Sequence, residues 1–377
     1  MPHIVHMTSA HPRYDTRIFI KQCRTLASHG HEVTLVVADG RGDELRDGVR
    51  IVDTGAPGGR LARMLWATRR VAARARELDA DVYQLHDPEL LPAALRLRRT
   101  GMRVVFDAHE DVPTQLLDKP YLPGASAQLA ARLYARYERH ACERLDGLLA
   151  ATPHIGERLA QSNPRTVSVA NYPIPEEFAP GGWEARTQVC YVGSISAIRG
   201  IRELVRACAL LRTPTPLTVA LAGSFAEPAL EREVARMPGW SRIQALGHLD
   251  RAGVGQAMRR AFAGLVTLLP TASYREALPV KMFEYMAAGI PVIASDFPRW
   301  RAIVDASGCG LCVDPRAPAA IAAAIDRLAA DPALARRMGA NGRRAVERHF
   351  NWGHEAQKLL AFYDEVCSPQ MARRLAV

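Results

Sequence analysis

The chain has 377 residues, which is enough for two domains of the usual size, each with a core of its own. Apolar residues make up 48% and charged residues 23% of the chain, an ordinary globular composition, and no apolar run reaches the roughly 20 residues of a membrane-spanning helix. The net charge of +10 favours anionic partners, but there is neither zinc-finger spacing nor a basic region followed by heptads, so nucleic acid is not an expected partner.

The first part of the chain alternates short apolar runs with amphipathic stretches. The predicted strands are 3–9, 32–38, 50–55, 82–86, 103–109 and 146–152, and a helix at 17–30 ends at Gly30. The N-terminal residues MPHIVHMTS lack the basic and long apolar regions of a signal peptide, so we expect a first strand there and a cytoplasmic protein. Strands that alternate with helices predict a parallel sheet.

A segment rich in Pro and Gly, residues 171–188, precedes a second series of the same kind. Its predicted strands are 189–194, 217–224, 242–249, 263–269, 291–296 and 310–315, and the chain then becomes helical. We predict an α/β protein with two Rossmann-like, doubly wound domains, 1–175 and 176–377, that face each other across a cleft. The final helix should pack back toward the N-terminal domain. In such sheets ligands bind beyond the carboxyl ends of the strands, so the cleft is the expected active site.

The stretch YREALPVKMFEYMAAGIPVIASD predicts a ligand site at the start of a helix. Glu276 lies in a predicted loop, and the helix runs from Pro279 to Gly289. Its first free N–H groups, together with Lys281, favour a bound phosphate. Glu284 follows on the same face, and carboxylates accept hydrogen bonds from vicinal sugar hydroxyls. This suggests a nucleotide sugar, although the pattern also fits a solvent-exposed Lys281–Glu284 ion pair with Glu276 on a surface loop.

At these residues the chain resembles the retaining GT-B glycosyltransferases of family four. That family has two glutamates separated by seven residues and then a small-residue motif, which here read EALPVKMFE and AAGIPVIAS. The resemblance implies that Glu276 contacts the transferred sugar and Glu284 the nucleotide ribose. It also implies a UDP- or GDP-sugar donor, a hydroxyl acceptor, no cofactor and no metal, because basic residues and a helix dipole hold the diphosphate.

Two further segments resemble the donor site of that family. YVGSISAIRG (191–200) is similar to an element in which two basic residues hold the diphosphate. Arg199 matches the second of them, whereas Ser194, next to Gly193, stands where an arginine is usual, so Lys281 could compensate. ALGHLDR (245–251) resembles the loop that contacts the base, and it contributes Gly247, His248 and Leu249.

The N-terminal half carries candidates for the acceptor side. QLHDPEL (84–90) and FDAHEDVP (106–113) match two strand ends that face the cleft in the family, and the family's active-site histidine maps onto His109. We expect His109 to contact the donor sugar or the acceptor hydroxyl and Glu110 to orient it, with His86 at the equivalent strand end. Asp15 and Arg17 lie in HPRYDTR, which replaces the family's glycine-rich loop. Asp15 also fits as the N-cap of the first helix.

Two motifs are interpreted as structural. The seven cysteines form no disulfide framework, and CGLC (309–312) has no second ligand pair for zinc, so we expect buried small residues. DAD (79–81) resembles a metal motif of another glycosyltransferase fold but precedes a strand, which predicts a turn.

Residues 60–76 contain six arginines and no acid, with Leu61, Met64, Leu65 and Trp66 among them. Such a helix can lie on anionic lipid, or it can be an ordinary packing helix with a solvated face. The overall prediction is a retaining, metal-independent hexosyltransferase for exopolysaccharide or lipid-linked glycan synthesis, peripheral on the cytoplasmic membrane. The alternatives are a non-catalytic donor-binding scaffold of the same fold, a transferase for a soluble small-molecule acceptor, and another enzyme of the fold such as an epimerase or a phosphorylase.

Overall fold

The computed structural model describes residues 1–59, 62–118, 122, 124–213 and 217–368. The chain divides into two compact units. The first is Met1–Asn171 together with the chain from Gly353 onward, and the second is Tyr172–Trp352. The boundary therefore lies slightly before the predicted residue 175, and the last helix is grouped with the first unit. The predicted second domain also includes residues 369–377, which lie outside the described residues.

Eight strands form the sheet of the first unit, in the order β3-β4-β2-β1-β5-β6-β7-β8. They are β1 (His3–Met7), β2 (Glu32–Val37), β3 (Glu44–Arg46), β4 (Val49–Asp53), β5 (Val82–Leu85), β6 (Arg103–Ala108), β7 (Gly147–Ala150) and β8 (Thr166–Ser168). Without its two edge strands the order is that of a doubly wound sheet, and β1 lies between β2 and β5 at the point where the order reverses. The carboxyl ends of β1 and β5 are therefore the expected ligand edge.

The two edge strands were missed by the sequence analysis. β3 pairs antiparallel with β4, while the other pairs between described strands are parallel. The hairpin turns at Asp47 and Gly48, both with positive φ (50° and 77°), the conformation of a tight two-residue turn. β3 and β8 have three residues each and no fully buried face, so neither produces an apolar run in the sequence.

Helices connect the strands of the first unit. They are α1 (Thr16–Cys23, continued by Arg24–Ser28), α2 (Arg63–Ala67, continued by Thr68–Arg76), α3 (Leu91–Arg99), α4 (Val112–Leu117), α5 (Gly124–Cys142) and α6 (Pro153–Ala160). Asp15 caps α1 as predicted, since its Oδ1 accepts from the backbone N–H groups of Arg17 and Ile18 at 2.8 and 2.9 Å. The first part of α1 has wide π turns, in which the N–H of Ile20 reaches the Asp15 carbonyl at 3.1 Å.

The second unit has a six-stranded parallel sheet in the order β11-β10-β9-β12-β13-β14. Its strands are β9 (Gln188–Val192), β10 (Thr218–Ala222), β11 (Ile243–Gly247), β12 (Ala261–Val266), β13 (Val292–Ser295) and β14 (Gly310–Val313). This is again the doubly wound order, with the reversal beside β9. Because both faces of this sheet are covered by helices, most of its central strands are continuous buried apolar runs, which explains why the sequence predicted them.

The helices of the second unit are α7 (Ile201–Ala209), α8 (Pro228–Val234), α9 (Arg251–Arg259), α10 (Ala272–Glu276), α11 (Val280–Ala287), α12 (Pro298–Ser307), α13 (Pro318–Ala330) and α14 (Pro332–Arg348). α10 replaces part of a predicted loop. Its start is capped by Thr271, whose Oγ1 accepts from the N–H of Tyr274 at 3.2 Å. Glu276 is therefore the last residue of a short helix rather than a loop residue.

The last helix, α15 (Trp352–Cys367), packs on the first unit. Glu355 Oε2 accepts from the backbone N–H of Ala170 at 2.7 Å, and the Tyr363 hydroxyl donates to Gln84 Oε1. Phe362 lies so close to Gly147 that an added Cβ would be 2.6 Å from its ring. Both Tyr363 and Gln84 are fully buried, so α15 is part of the core of that unit.

Five of the seven cysteines are buried as expected, whereas Cys312 of the CGLC motif and Cys367 are only partly buried. Asp79 of the DAD motif has a φ of 45°, a backbone conformation typical of a turn, shortly before β5 begins at Val82. None of the helices in the described ranges combines the length and the hydropathy of a membrane span.

Candidate active site

Three glycine loops meet at the carboxyl ends of neighbouring strands in the second unit. Gly193 follows β9, Gly223 follows β10 and Gly247 ends β11, all with positive φ. The Gly223 N–H donates to the Gly247 carbonyl at 2.7 Å, and a Cβ on Gly223 would lie 2.0 Å from the Gly193 carbonyl oxygen. Only glycine fits at position 223, because the backbone of the Gly193 loop lies directly against it. This contact lies beside β9, where the strand order reverses.

Lys281 reaches this place from the first turn of α11. The side chain is buried, and its Nζ lies 3.6 Å from the centre of the Tyr191 ring. A Cβ on Gly193 would be 3.5 Å from Lys281 Nζ and 4.0 Å from Arg199 Nη1. In the described part of the chain Lys281 Nζ has no hydrogen-bond partner. Burial first, and then the charge of Arg199, holds the pKa of Lys281 well below its usual value, against the opposing effect of Glu284.

The position of Lys281 follows from the packing of α11. Tyr285, four residues later, is buried against Gly264 of β12, where an added Cβ would lie 2.2 Å from the ring. Its hydroxyl accepts from the N–H of Val192, the last residue of β9, at 2.9 Å. The apolar face of α11 thus fixes the helix against β9 and β12, whereas the sequence pattern indicates only a core position for Tyr285.

The two signature glutamates have arginine neighbours. Glu284 is mostly buried, with its Oε1 3.8 Å from Arg251 Nη1. Glu276 is about half exposed and forms an ion pair with Arg299, at 3.1 Å from Nη2. The expected alternative of a Lys281–Glu284 ion pair on the surface is wrong, because Lys281 is buried and has no hydrogen bond to that carboxylate.

The other predicted donor residues line the same strand ends. Ser194 is exposed, and its carbonyl accepts from the Tyr191 hydroxyl at 2.9 Å. His248 is exposed after β11, and Leu249 packs partly against the core. Gly193, Arg199 and Lys281 are therefore brought together, and the loop of Gly247 reaches them through Gly223.

A buried hydrogen-bond network occupies the carboxyl ends of β5 and β6 in the first unit. At its centre is Asp107, which is fully buried. Its Oδ2 lies 3.0 Å from Arg17 Nε and 2.8 Å from Gln22 Nε2, and its Oδ1 lies 2.6 Å from Arg17 Nη2. Oδ2 is also 3.2 Å from His86 Nδ1 and 3.0 Å from His109 Nε2. The Arg17 charge and the histidines hold the pKa of Asp107 well below its usual range in spite of burial.

Three predicted roles change in this network. Arg17 and His86 are only 3% and 1% exposed, so they support the site from behind instead of facing an acceptor. Glu110 is exposed, and it is Asp107, not Glu110, that contacts the partly exposed His109. A signal for this was present, because residues two apart on a strand share a face and Asp107 precedes His109 by two.

A second acid, Asp87, follows β5, and a further histidine, His11, lies in the loop after β1. Asp87 Oδ2 accepts from the N–H of Ser9 at 2.5 Å, and its Oδ1 lies 3.4 Å from His11 Nε2. His11 Nδ1 lies 3.5 Å from Asp15 Oδ2. Burial opposes protonation of His11, but the Asp15 hydrogen bond and the neighbouring acids outweigh it and raise its pKa. His11 and Asp87 were not predicted as site residues.

By distance alone, His86, Asp107 and His109 could hold a metal ion, since their donor atoms lie within 4.8 Å of one another. Asp107 Oδ2 already accepts from Arg17 and Gln22, and a divalent ion there would lie beside the buried guanidinium. An unpaired positive charge in such a place is costly. We therefore interpret the cluster as a hydrogen-bond network.

The buried histidines predict an acid-sensitive first unit. Burial lowers the pKa of His86 to about 4, and burial together with His86 lowers that of His6. The unfolded chain then binds more protons than the folded one between pH 6.5 and 4. The free energy of unfolding should therefore fall as the pH is lowered through that window, by up to about 3 kcal/mol for His86.

Urea unfolding at a series of pH values measures this dependence. The free energy of unfolding should change less steeply with pH in His86→Gln than in the wild type. The exposed His29→Gln is the control, and an unchanged slope in His86→Gln would contradict the assignment.

Two family models match the chain in succession. "Glycosyltransferase Family 4" matches residues 17–176 and "Glycosyl transferases group 1" matches residues 174–345. The family predicted from the signature glutamates is thereby confirmed.

Curated relatives are glycosyltransferases and sugar-phosphate synthases. Alpha-maltose-1-phosphate synthase of Mycobacterium tuberculosis is 30% identical over 192 residues, which covers 48% of this chain and 49% of that protein. The chain thus spans about half the length of this relative. Alpha-D-kanosaminyltransferase of Streptomyces kanamyceticus is 24% identical over 329 residues, 80% of this chain and 82% of that one.

Solved structures share the fold over almost the whole chain. Sucrose-phosphate synthase from Thermosynechococcus elongatus aligns with a TM-score of 0.79 at 21% identity, covering 97% of this chain and 99% of that one. Anabaena HepE in complex with UDP-glucose aligns with a TM-score of 0.73 at 14% identity, covering 97% and 100%. These alignments cover the residues that the two family models match. The chain belongs to the glycosyl transferases group 1 and has the two-domain GT-B fold.

Proposed function

We propose that this protein is a retaining glycosyltransferase that moves a hexose from a UDP- or GDP-sugar to a hydroxyl acceptor. The observation that carries the proposal is the buried Lys281 beside Arg199 and Gly193, with its Nζ lacking a hydrogen-bond partner in the described part of the chain. A buried cation without a partner is costly, and a diphosphate would neutralise it. The similar structure of Anabaena HepE contains UDP-glucose, which supports a nucleotide-sugar donor.

The chemistry follows from this charge. As the bond from the sugar to the diphosphate breaks, negative charge develops on the leaving phosphate oxygens. Lys281, Arg199 and the first N–H groups of α11 are fixed donors for that charge before the reaction begins. Lys281 thereby supplies the positive charge that is absent at Ser194, where an arginine is usual in the family.

The glutamates and His109 are assigned to the sugar and ribose. Glu284 would accept from the ribose hydroxyls, and Glu276, held by Arg299, would contact the transferred sugar. His109 is the partly exposed member of the network around Asp107 and would contact a sugar or acceptor hydroxyl. Asp15 shapes this side through His11 and the start of α1.

A thermal-shift panel of UDP-, GDP-, ADP- and dTDP-sugars tests the donor. A ligand at 100 times its Kd adds about 2.7 kcal/mol to stability, so one class should raise the melting temperature clearly. Slow hydrolysis of that donor would show catalysis. Binding without hydrolysis or transfer would favour the non-catalytic scaffold, and no shift with any donor would refute the proposal.

We predict that activity survives excess EDTA. Positive charge at the donor site comes from Arg199 and Lys281, so no divalent ion is needed to hold the diphosphate. The assay is donor hydrolysis before and after chelation and dialysis, with Mg²⁺ and Mn²⁺ added back to separate aliquots. Loss of activity that either metal restores would contradict metal independence.

The acceptor is proposed to be a glycan or lipid-linked molecule at an anionic membrane surface. α2 buries Val71 and Ala75, while Trp66 is 62% and Met64 45% exposed. Exposed apolar side chains among arginines suit an anionic bilayer, where each basic residue contributes about 1 kcal/mol. Arg60 and Leu61, also part of the predicted segment, lie outside the described residues.

Liposome co-sedimentation tests this surface. We expect binding to anionic vesicles at low salt, loss of binding at high salt, and weaker binding of the Arg69/Arg70/Arg74→Glu variant. A variant with the same charge change in the second unit, Arg232/Arg236/Arg259→Glu, is the control. Equal binding by both variants would remove α2 as the docking surface, and a soluble small-molecule acceptor would become the better proposal.

A further inference from the structure

The amide groups behind the first-unit network can be oriented from a single fact. A carboxylate only accepts hydrogen bonds, so Gln22 Nε2 must donate to Asp107 Oδ2, at 2.8 Å. Gln22 Oε1 is then the acceptor for Gln84 Nε2, at 2.6 Å, and Gln84 Oε1 accepts from the Tyr363 hydroxyl. Each amide in this buried chain has one allowed orientation.

The chain of amides sets the tautomer of His86. The second hydrogen on Gln84 Nε2 faces His86 Nε2 at 3.4 Å, so this ring nitrogen accepts. The same nitrogen also faces His6 Nδ1 at 2.9 Å. The proton of neutral His86 is therefore on Nδ1, which lies 3.2 Å from Asp107 Oδ2.

His109 then has two ways to fit. Its Nε2 can donate to Asp107 Oδ2 at 3.0 Å, or it can accept the Nδ1 proton of His86 at 3.2 Å. The first bond is shorter and has a charged acceptor, and charge-assisted bonds are roughly twice as strong as neutral ones. The His86 proton already has the same carboxylate oxygen as its acceptor. The first arrangement is therefore favoured.

We propose that Asp107 is a positioning residue that holds His109 in the tautomer with the proton on Nε2, so that Nδ1 is left as a hydrogen-bond acceptor. His86, Gln22 and Gln84 fix Asp107 from behind. The group that binds at His109 must then be a donor, such as a hydroxyl. This rests on the proposed function only in assigning that hydroxyl to a sugar or an acceptor.

The tautomer can be measured directly in the unmodified protein. Long-range proton–nitrogen NMR correlation of histidine-labelled protein, recorded at mildly alkaline pH, distinguishes protonated from unprotonated ring nitrogens. The His109 signals are those that disappear in His109→Gln. We expect a protonated Nε2 and an unprotonated Nδ1, and a protonated Nδ1 would overturn the proposal. The spectrum needs no substrate, so it stands whether or not glycosyl transfer is observed.

Asp107→Ala tests the positioning role. Without the carboxylate, His109 Nε2 can accept the Nδ1 proton of His86 at 3.2 Å, so we expect the His109 proton to move to Nδ1 and kcat to fall by about 100-fold or more. Asp146→Ala is the matched control, because Asp146 is also buried, lies 3.1 Å from Arg98 Nε and accepts from the Val104 N–H at 2.8 Å, but contacts no histidine. An unchanged His109 tautomer in Asp107→Ala would overturn the proposal. If that variant does not fold, the wild-type spectrum decides.

A donor analogue gives a third readout. Replacing the hydroxyl that binds at His109 with fluorine removes its proton but keeps an acceptor. If His109 Nδ1 accepts, the fluoro and deoxy analogues should bind the wild type more weakly than the hydroxyl compound does, and by the same factor. In a variant without the His109 imidazole, the three compounds should bind alike. Retained affinity for the fluoro analogue would mean that His109 donates, contrary to the proposal.

Discussion

Lys281→Met should lower kcat by about 100- to 1,000-fold. This is the usual loss when one fixed donor to the developing charge of a transition state is removed. Donor hydrolysis and transfer assays measure the effect, and calorimetry should show weaker binding of the free nucleoside diphosphate. Lys358→Met is the matched control, because Lys358 is half exposed and paired with Glu355 at 2.8 Å. Equal activity of Lys281→Met and wild type would remove Lys281 from the donor site.

The same substitution should keep or raise stability in the absence of ligand. Burial and the charge of Arg199 disfavour the charged form of this amine and lower its pKa, and replacing a buried polar group without a partner by an apolar side chain of similar length removes that cost. The cation–π contact with Tyr191 is lost, which offsets part of the gain. An unchanged or higher melting temperature together with lost activity is the expected signature of a functional lysine. A large fall in melting temperature would indicate a structural role instead.

Glu284→Ala should weaken nucleotide-sugar binding by about 10- to 100-fold. The variant removes the acceptor that we propose for two ribose hydroxyls, and hydrogen bonds to a charged group are worth roughly 1.5–3 kcal/mol. Calorimetric titration with the donor found in the thermal-shift panel measures the change. Inorganic diphosphate should bind both proteins alike, since it has no ribose.

The control for this prediction is Glu233→Ala. Glu233 also pairs with an arginine in the second unit, Arg202 at 2.6 Å, but it is half exposed on the surface. Donor affinity should not change in that variant. Unchanged affinity in Glu284→Ala would place the ribose elsewhere, and equal losses for ribose-containing ligands and diphosphate would point to a disturbed helix α11.

The sequence by itself determined the architecture, because parallel strands covered by helices on both faces must be apolar runs. The runs at 103–109, 189–194 and 291–296 became β6, β9 and β13 for this reason. The signature with Glu276, Lys281 and Glu284 was also readable, since its residues lie within nine consecutive positions, at the end of α10 and in α11. Short edge strands such as β3, and the five-residue helix α10, have too little apolar pattern to be predicted.

Only the tertiary structure decided which polar residues share a site. Asp107 contacts Arg17 and Gln22 of α1 and His86 at the end of β5, and no local pattern encodes partners separated by 85 or 90 residues. The burial of Lys281 likewise depends on β9 and Gly193, which are distant in sequence. Local periodicity sets which residues share a face, and it places Asp107 rather than Glu110 against His109. Strand order sets which strand ends become neighbours, and it brings His86 to the same carboxylate.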